Sequence, residues 1–173
     1  MPRLATGLWT RPWQSGFTLL EVMVVLVLIG IITGFAVLAM RGSDERERLA
    51  VEARRLSALL ELSHQEAMLR SESRGVRFTQ TGYAFLTRTR DGDWDPVDDT
   101  SLLKQYELPP GFSLQLTVEG RPVDFSKPSP LPQVLLLSSG ETTEFSITFN
   151  ADDVRGYRVS GDLTGRLSLT SLQ

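Results

Sequence analysis

The hydrophobic rhythm of the chain changes twice. From Phe17 to Met40, 24 residues carry one charge, Glu21. At about 1.5 Å of rise per residue a helix of that length reaches about 36 Å, enough to cross a bilayer core of about 30 Å. Arg41-Gly42-Ser43-Asp44 then interrupts the apolar run. Either Ser43 or Asp44 caps a new helix, or the first helix runs on with a weak point at Gly42. From Glu45 to Arg70 the period is helical: Leu49, Ala53, Leu56, Leu60 and Ala67 fall near one face, and Leu59 and Leu62 widen it.

After Ser73-Arg74-Gly75 the period drops to two. Val76–Gln80 and Tyr83–Arg90 predict a hairpin across Thr81-Gly82. Phe112, Leu114, Leu116 and Val118 alternate with polar residues, as do Phe145, Ile147 and Phe149. Gln133–Leu137 is a short apolar run, expected to be a strand buried on both sides. Tyr157–Ser160 and Arg166–Leu169 complete seven or eight short strands, which predict two packed antiparallel sheets. Arg121–Pro132 holds four prolines, which cannot donate to a central ladder, and is expected to be an irregular surface loop. The fold class is therefore α+β, with a long N-terminal helix covering one side of a sandwich-like domain.

Composition narrows the chemistry. The 173 residues include no Cys and one His, His64, so thiol catalysis, disulfides and multi-His metal sites are excluded. His64 is expected to be a partly exposed helix residue. Charges nearly cancel, with 18 Lys+Arg against 21 Asp+Glu, which argues against a nucleic-acid partner. Arg41–Arg70 interleaves six Arg with six acids, so no basic field builds up there. Asp91–Asp99 holds five carboxylates, but Pro96 sits where a calcium loop needs Gly and Leu102 where it needs Glu. It is expected to be a solvated acidic turn. Ser101-Leu102-Leu103-Lys104 matches S-x-x-K, without the S-D-N and K-T-G motifs that accompany that serine chemistry. No metal, cofactor or catalytic set is expected, and a membrane-anchored enzyme finds no support.

The start of the chain carries the most specific pattern. Arg3 and Arg11 precede the apolar run with no acid among them, which holds that end in the cytoplasm and sends the rest outward. Small residues of A-x-A type are poorly placed after the run, the nearest being Ala36-Val37-Leu38-Ala39-Met40. Instead Gly16-Phe17 precedes it and Glu21 follows Phe17 by four residues. A carboxylate at the centre of a bilayer costs about 2.5–3.5 kcal/mol on insertion scales. Nearer the interface it costs less, but it still calls for a cationic partner.

Gly16-Phe17-Thr18-Leu19-Leu20-Glu21 followed by VMVVLVLIG resembles the class III signal of type IV pilins and type II secretion pseudopilins. The resemblance implies cleavage by a prepilin peptidase between Gly16 and Phe17, N-methylation of Phe17, and a charge pair between Glu21 and the new amine of a neighbouring subunit. Ser138–Phe145 and Tyr157–Gly165 (YRVSGDLTG) resemble the C-terminal region of the H-type minor pseudopilins, the GspH family. That implies a type IV pilin-like fold divided into leader 1–16, apolar helix 17–40, amphipathic continuation 41–73 and periplasmic β-domain 74–173. The implied partners are other pseudopilins, the prepilin peptidase, the inner-membrane assembly platform and, before assembly, inner-membrane lipid. The implied place is near the tip of a periplasmic pseudopilus. FimT-like minor pilins of type IV pili share the layout. That alternative would need a DNA-binding cluster among Arg88, Arg90, Arg155, Arg158 and Arg166.

Overall fold

A computed structural model describes residues 17–97, 102–127, 129–151 and 154–172; within these ranges, side chains are described except at 36–44, 154 and 155. The proposed leader and Gly16, together with Asp98, Asp99, Ser101 and the Arg155 side chain, lie outside that description. The chain divides into two compact units, Met1–Arg41 and Gly42–Gln173.

Helix α1 spans Leu19–Arg70, so there is no new start at Ser43 or Asp44. Within the second unit its buried stripe is Leu49, Ala53, Leu56, Leu60, Ser63 and Ala67, stepping alternately by four and three residues. Ser63 is the polar member that hydrophobicity alone does not reveal. The helix ends in a Schellman arrangement. Glu72 N–H donates to Ala67 O at 3.1 Å and Ser71 N–H to Met68 O at 3.4 Å, with Ser71 at φ 54°. Immediately beyond, Arg74 is only 1% exposed and its guanidinium meets Glu66 at 2.7 Å, tying the last turn of the helix to the first strand.

Two antiparallel sheets follow. The first contains β1 (Arg74–Thr79), β2 (Gly82–Arg88), β3 (Trp94–Pro96), β4 (Tyr106–Glu107) and β7 (Val134–Leu136). Its order is β3-β2-β1-β7, with β4 also pairing β2. The second is β10-β9-β8-β5-β6, built from β5 (Phe112–Val118), β6 (Arg121–Pro122), β8 (Phe145–Ala151), β9 (Val154–Gly161) and β10 (Leu167–Ser171). The alternation read from sequence sets the register: Leu114 faces Phe149, Leu116 faces Ile147, and Ile147 faces Val159. These side chains join Leu49, Leu56 and Leu60 of the helix and Val76, Phe78 and Phe85 of the first sheet in one core.

Four expectations change. Trp94–Pro96, inside the acidic stretch, is a strand rather than a free turn, because β2 offers it backbone partners from Leu86 to Arg88. β7 is not buried on both sides: Val134 and Leu136 are buried in the core, while Leu135, on the other face, is half-buried. The proline-rich segment begins with β6, where Pro122 is tolerated because only β5 lies beside it. Tyr106–Glu107 is a strand where none was expected.

β9 bulges between Tyr157 and Arg155, leaving Gly156 as the extra residue opposite β8. A Cβ there would stand 2.5 Å from Leu49 Cδ1, so the bulge and the glycine together let the helix approach the strand. Gln133 extends the β1–β7 pairing with its side chain. Its Oε1 accepts Phe78 N–H at 2.8 Å and its Nε2 donates to Phe78 O at 3.2 Å.

Candidate assembly site

The first unit presents Phe17 and the start of α1. Thr18 caps the helix: Glu21 N–H donates to Thr18 Oγ1 at 3.2 Å and to Thr18 O at 3.1 Å. Thr18-x-x-Glu21 is the sequence form of a capping box, a helix-start signal that lies open in the sequence. Glu21 thus sits in the first turn, where the unsatisfied N–H groups favour negative charge. Its side chain is exposed, and among the described residues no cation pairs with it.

The apolar residues that follow have no cover among the described residues. From Leu19 to Phe35 the large side chains are between 43% and 78% exposed, and Phe17 is 77% exposed. Each such side chain gains about 1.5–3 kcal/mol on full burial, so an uncovered run of this length demands lipid or protein around it. Two details suit close packing without water. Thr33 returns its hydroxyl to Ile29 O at 2.7 Å, so this polar group is already paired within the helix. Gly30 and Gly34 lie four residues apart, and a Cβ on either would meet nothing within 4 Å. This G-x-x-x-G spacing, legible in the sequence but not noted there, leaves a notch where another helix backbone can come close.

Among the described residues no helix is long and apolar enough to cross a membrane. The described side chains from Leu19 to Phe35 rise about 26 Å, against a bilayer core of about 30 Å. Ala36–Met40, which complete the expected span, lie outside the described side chains.

The second unit holds the other residues singled out by sequence. Arg88 and Arg90 stand beside the helix-to-β1 turn, around Arg70 and Glu72. Arg158 and Arg166 belong to the opposite sheet, with Arg158 on β9 and Arg166 just before β10. Among the described side chains, Arg88 and Arg90 thus lie on a different sheet from Arg158 and Arg166. Asp91, Asp93 and Asp95 are exposed, and no group of three ligating side chains that could hold a metal occurs among the described residues.

The two C-terminal segments that carried the family resemblance meet in space. Thr142 N–H donates to Leu163 O at 3.2 Å, and its hydroxyl to Asp162 O at 2.5 Å. His64 reaches the same place: its Nε2 lies 2.9 Å from Gly140 O, and a Cβ on Gly165 would collide with its ring. His64 is thus a fastener between the helix and two turns, a role its lone position in the sequence gave no sign of. Asp162 closes the second turn, accepting from Thr164 N–H at 2.9 Å, Thr164 Oγ1 at 2.6 Å and Arg166 N–H at 3.0 Å. The Thr164 hydroxyl and then the Arg166 amide hold its carboxyl below the usual Asp range.

A polar cluster between helix and first sheet was also missed. Tyr106 donates to Glu52 Oε1 at 2.9 Å, and the Arg55 guanidinium lies 3.6 Å above the Tyr106 ring. Tyr83 packs 5.5 Å from Tyr106, centroid to centroid. Burial, more than any charge, pushes the Tyr83 hydroxyl well above its ordinary value, and Tyr106 moves the same way. Tyr106 thereby ties β4 to the helix, and both tyrosines line a pocket together with Arg77, Thr79 and Thr81.

Comparison with known proteins agrees with this geometry. The family described as Type II transport protein GspH matches residues 52–165, and the prokaryotic N-terminal methylation motif matches residues 14–37. The chain is 32% identical to type II secretion system protein H of Aeromonas hydrophila, over 92% of this chain and 94% of that protein. It is also 32% identical to the protein of the same name from Pseudomonas aeruginosa, over 78% of this chain and 81% of that one. Among solved structures, the minor pseudopilin EpsH from the type 2 secretion system of Vibrio cholerae superposes with a TM-score of 0.64. That match has 25% identity and covers 72% of this chain and 96% of that one. The Escherichia coli GspH solution structure, at 22% identity and a TM-score of 0.58, shares the fold over 73% of this chain and 90% of that one. The chain belongs to the GspH family and is a minor pseudopilin of the type II secretion system.

Proposed function

We propose that this subunit matures by cleavage between Gly16 and Phe17 and N-methylation of Phe17, and then packs its apolar helix among those of other pseudopilins near the tip of a periplasmic pseudopilus. The observation that carries the reading is the uncovered apolar run of α1 with one carboxylate, Glu21, in its first turn. Family membership makes the chain a structural subunit that interacts with other pseudopilins, and its methylation motif goes with inner-membrane anchoring.

The chemistry follows from the residues. Before assembly, residues 17–40 would sit in the inner membrane, with Arg3 and Arg11 on the cytoplasmic side and the β-domain outside. Cleavage by the prepilin peptidase frees the amine of Phe17. In an assembled bundle the Glu21 carboxylate of one subunit would lie against the amine of its neighbour. Burial supplies contact area, and the charge pair supplies register, because a slipped subunit would bury an unpaired acid. The inner-membrane assembly platform would draw the subunit from lipid into the filament, and filament growth would help drive folded proteins through the outer membrane. Residues 41–73 and 74–173 would form the periplasmic part.

A clean deletion tests this function. Exported hydrolases should accumulate in the periplasm while twitching motility and DNA uptake stay normal. Normal secretion with lost motility or DNA uptake would assign the subunit to a type IV pilus instead. The mass of the mature chain should correspond to a methylated N-terminus at Phe17.

A further inference from the structure

The edges of the two sheets are treated unequally. β3 is three residues long and includes Asp95 and Pro96; β4 has two residues and carries Glu107. β6 has two residues and ends in Pro122, and beyond it β5 is covered by Leu114 N–H donating to Gln80 O at 2.7 Å and Val123 N–H to Leu116 O at 2.8 Å. The outer side of β7 is taken by Thr143, whose N–H donates to Leu135 O at 3.0 Å and whose Oγ1 accepts Leu135 N–H at 3.1 Å. Short length, charge, proline and cover are the devices by which proteins protect open edges.

Among the described residues β10 has none of them. Leu167–Ser171 reads LSLTS, five residues without charge or proline, and it lies at the end of the strand order. Its inner pairing is fixed by two bonds in register: Leu172 N–H donates to Gly156 O at 2.9 Å, and Asp162 N–H to Arg166 O at 3.2 Å. Antiparallel pairs alternate between bonded and non-bonded, so Ser168 and Thr170 spend their backbone groups on β9. The N–H and C=O of Leu167, Leu169 and Ser171 point away from the sheet. Leu169 lies opposite buried Val159, on the core-facing side, yet remains 37% exposed where the sheet overhangs the core.

We propose that the β10 edge is a docking site for an extended segment of a different, neighbouring pseudopilin, which adds a strand to the second sheet. The outward groups of Leu167, Leu169 and Ser171 fit only an extended backbone, and Leu169 asks that strand for an apolar residue on its core-facing side. An uncharged edge selects by hydrogen bonding and shape, which suits a partner held close by the packing of the apolar helices. This inference rests on the assembly reading above.

Residue-resolved hydrogen exchange tests it, comparing the full-length protein in detergent with the same protein in assembled pseudopili. The amides of Leu167, Leu169 and Ser171 should exchange about tenfold slower or more in pseudopili, the equivalent of one added hydrogen bond each, while those of Ser168 and Thr170 change little. Leu169→Pro removes an N–H that no described residue accepts. It should fold, melt near wild type and be recovered from pseudopili in clearly reduced amount. Unchanged amides in a subunit that is present in pseudopili would overturn the docking site alone. Protection already present in detergent and rising with concentration would assign the edge to a second copy and overturn the choice of partner. Absence of the subunit from pseudopili altogether would overturn the assembly reading as well.

Discussion

The two halves of α1 solve the hydrophobic problem in opposite ways. From Leu49 to Ala67 the apolar positions form a stripe, and the chain's own sheets cover it. From Leu19 to Phe35 they surround the helix, and nothing in the described chain covers them. A stripe is a specification for one face and can be met by one domain. An apolar cylinder needs neighbours on every side, whether lipid or other helices. The C-terminal half of the helix therefore contributes to the stability of the domain, the N-terminal half is the one proposed to serve assembly, and substitutions should separate the two.

The largest separation is expected from matched truncations. Leu60→Ala removes a fully buried side chain and should cost about 2–5 kcal/mol of unfolding free energy. Leu26→Ala, on the uncovered run, should leave the melting of the β-domain unchanged and lower the share of subunit found in pseudopili. Equal losses of stability in the two variants would erase the distinction. A smaller effect is expected where the stripe meets β9. Gly156→Ala places a methyl group against Leu49 and should cost about 1–3 kcal/mol in chemical denaturation, as overpacking does.

The smallest effect is electrostatic. Asp162 and Asp124 are both held below the usual carboxylate range, Asp162 first by the Thr164 hydroxyl and Asp124 first by the Ser126 hydroxyl. A lowered folded-state value adds stability that is present above the unfolded value of about 3.9 and disappears as the pH falls through the folded one. Unfolding followed below about pH 4 should therefore be less pH-dependent in Asp162→Asn than in wild type. Pseudopilus incorporation at neutral pH should not change in that variant, since Asn keeps an acceptor oxygen for the turn and neither the β10 edge nor the apolar run is altered.

Much of the fold was legible because its signals are local. Alternation at Phe112–Val118 and Phe145–Asn150 gave two strands and their faces, and the structure pairs them at the centre of the second sheet. The buried stripe of the helix followed from spacing, apart from Ser63, whose burial depends on what lies opposite. What escaped was decided by distant partners. Trp94–Pro96 and Tyr106–Glu107 are strands only because β2 lies beside them. His64 matters because two turns remote in sequence converge on its ring, and Gln133 because its amide replaces a backbone group. For the assembly site the balance is different. Phe17, Glu21 and the apolar run are contiguous, so sequence exposes nearly all of it. Only the cap at Thr18 and the notch at Gly30 and Gly34 were left to be noticed.

The most direct test of the charge-pair account is pseudopilus incorporation of Glu21→Ala, measured beside its maturation and the melting temperature of its periplasmic domain. The account predicts normal cleavage and methylation, unchanged melting, and a subunit largely missing from pseudopili. Incorporation at the wild-type level would contradict it, because an apolar helix alone would then suffice to set the register.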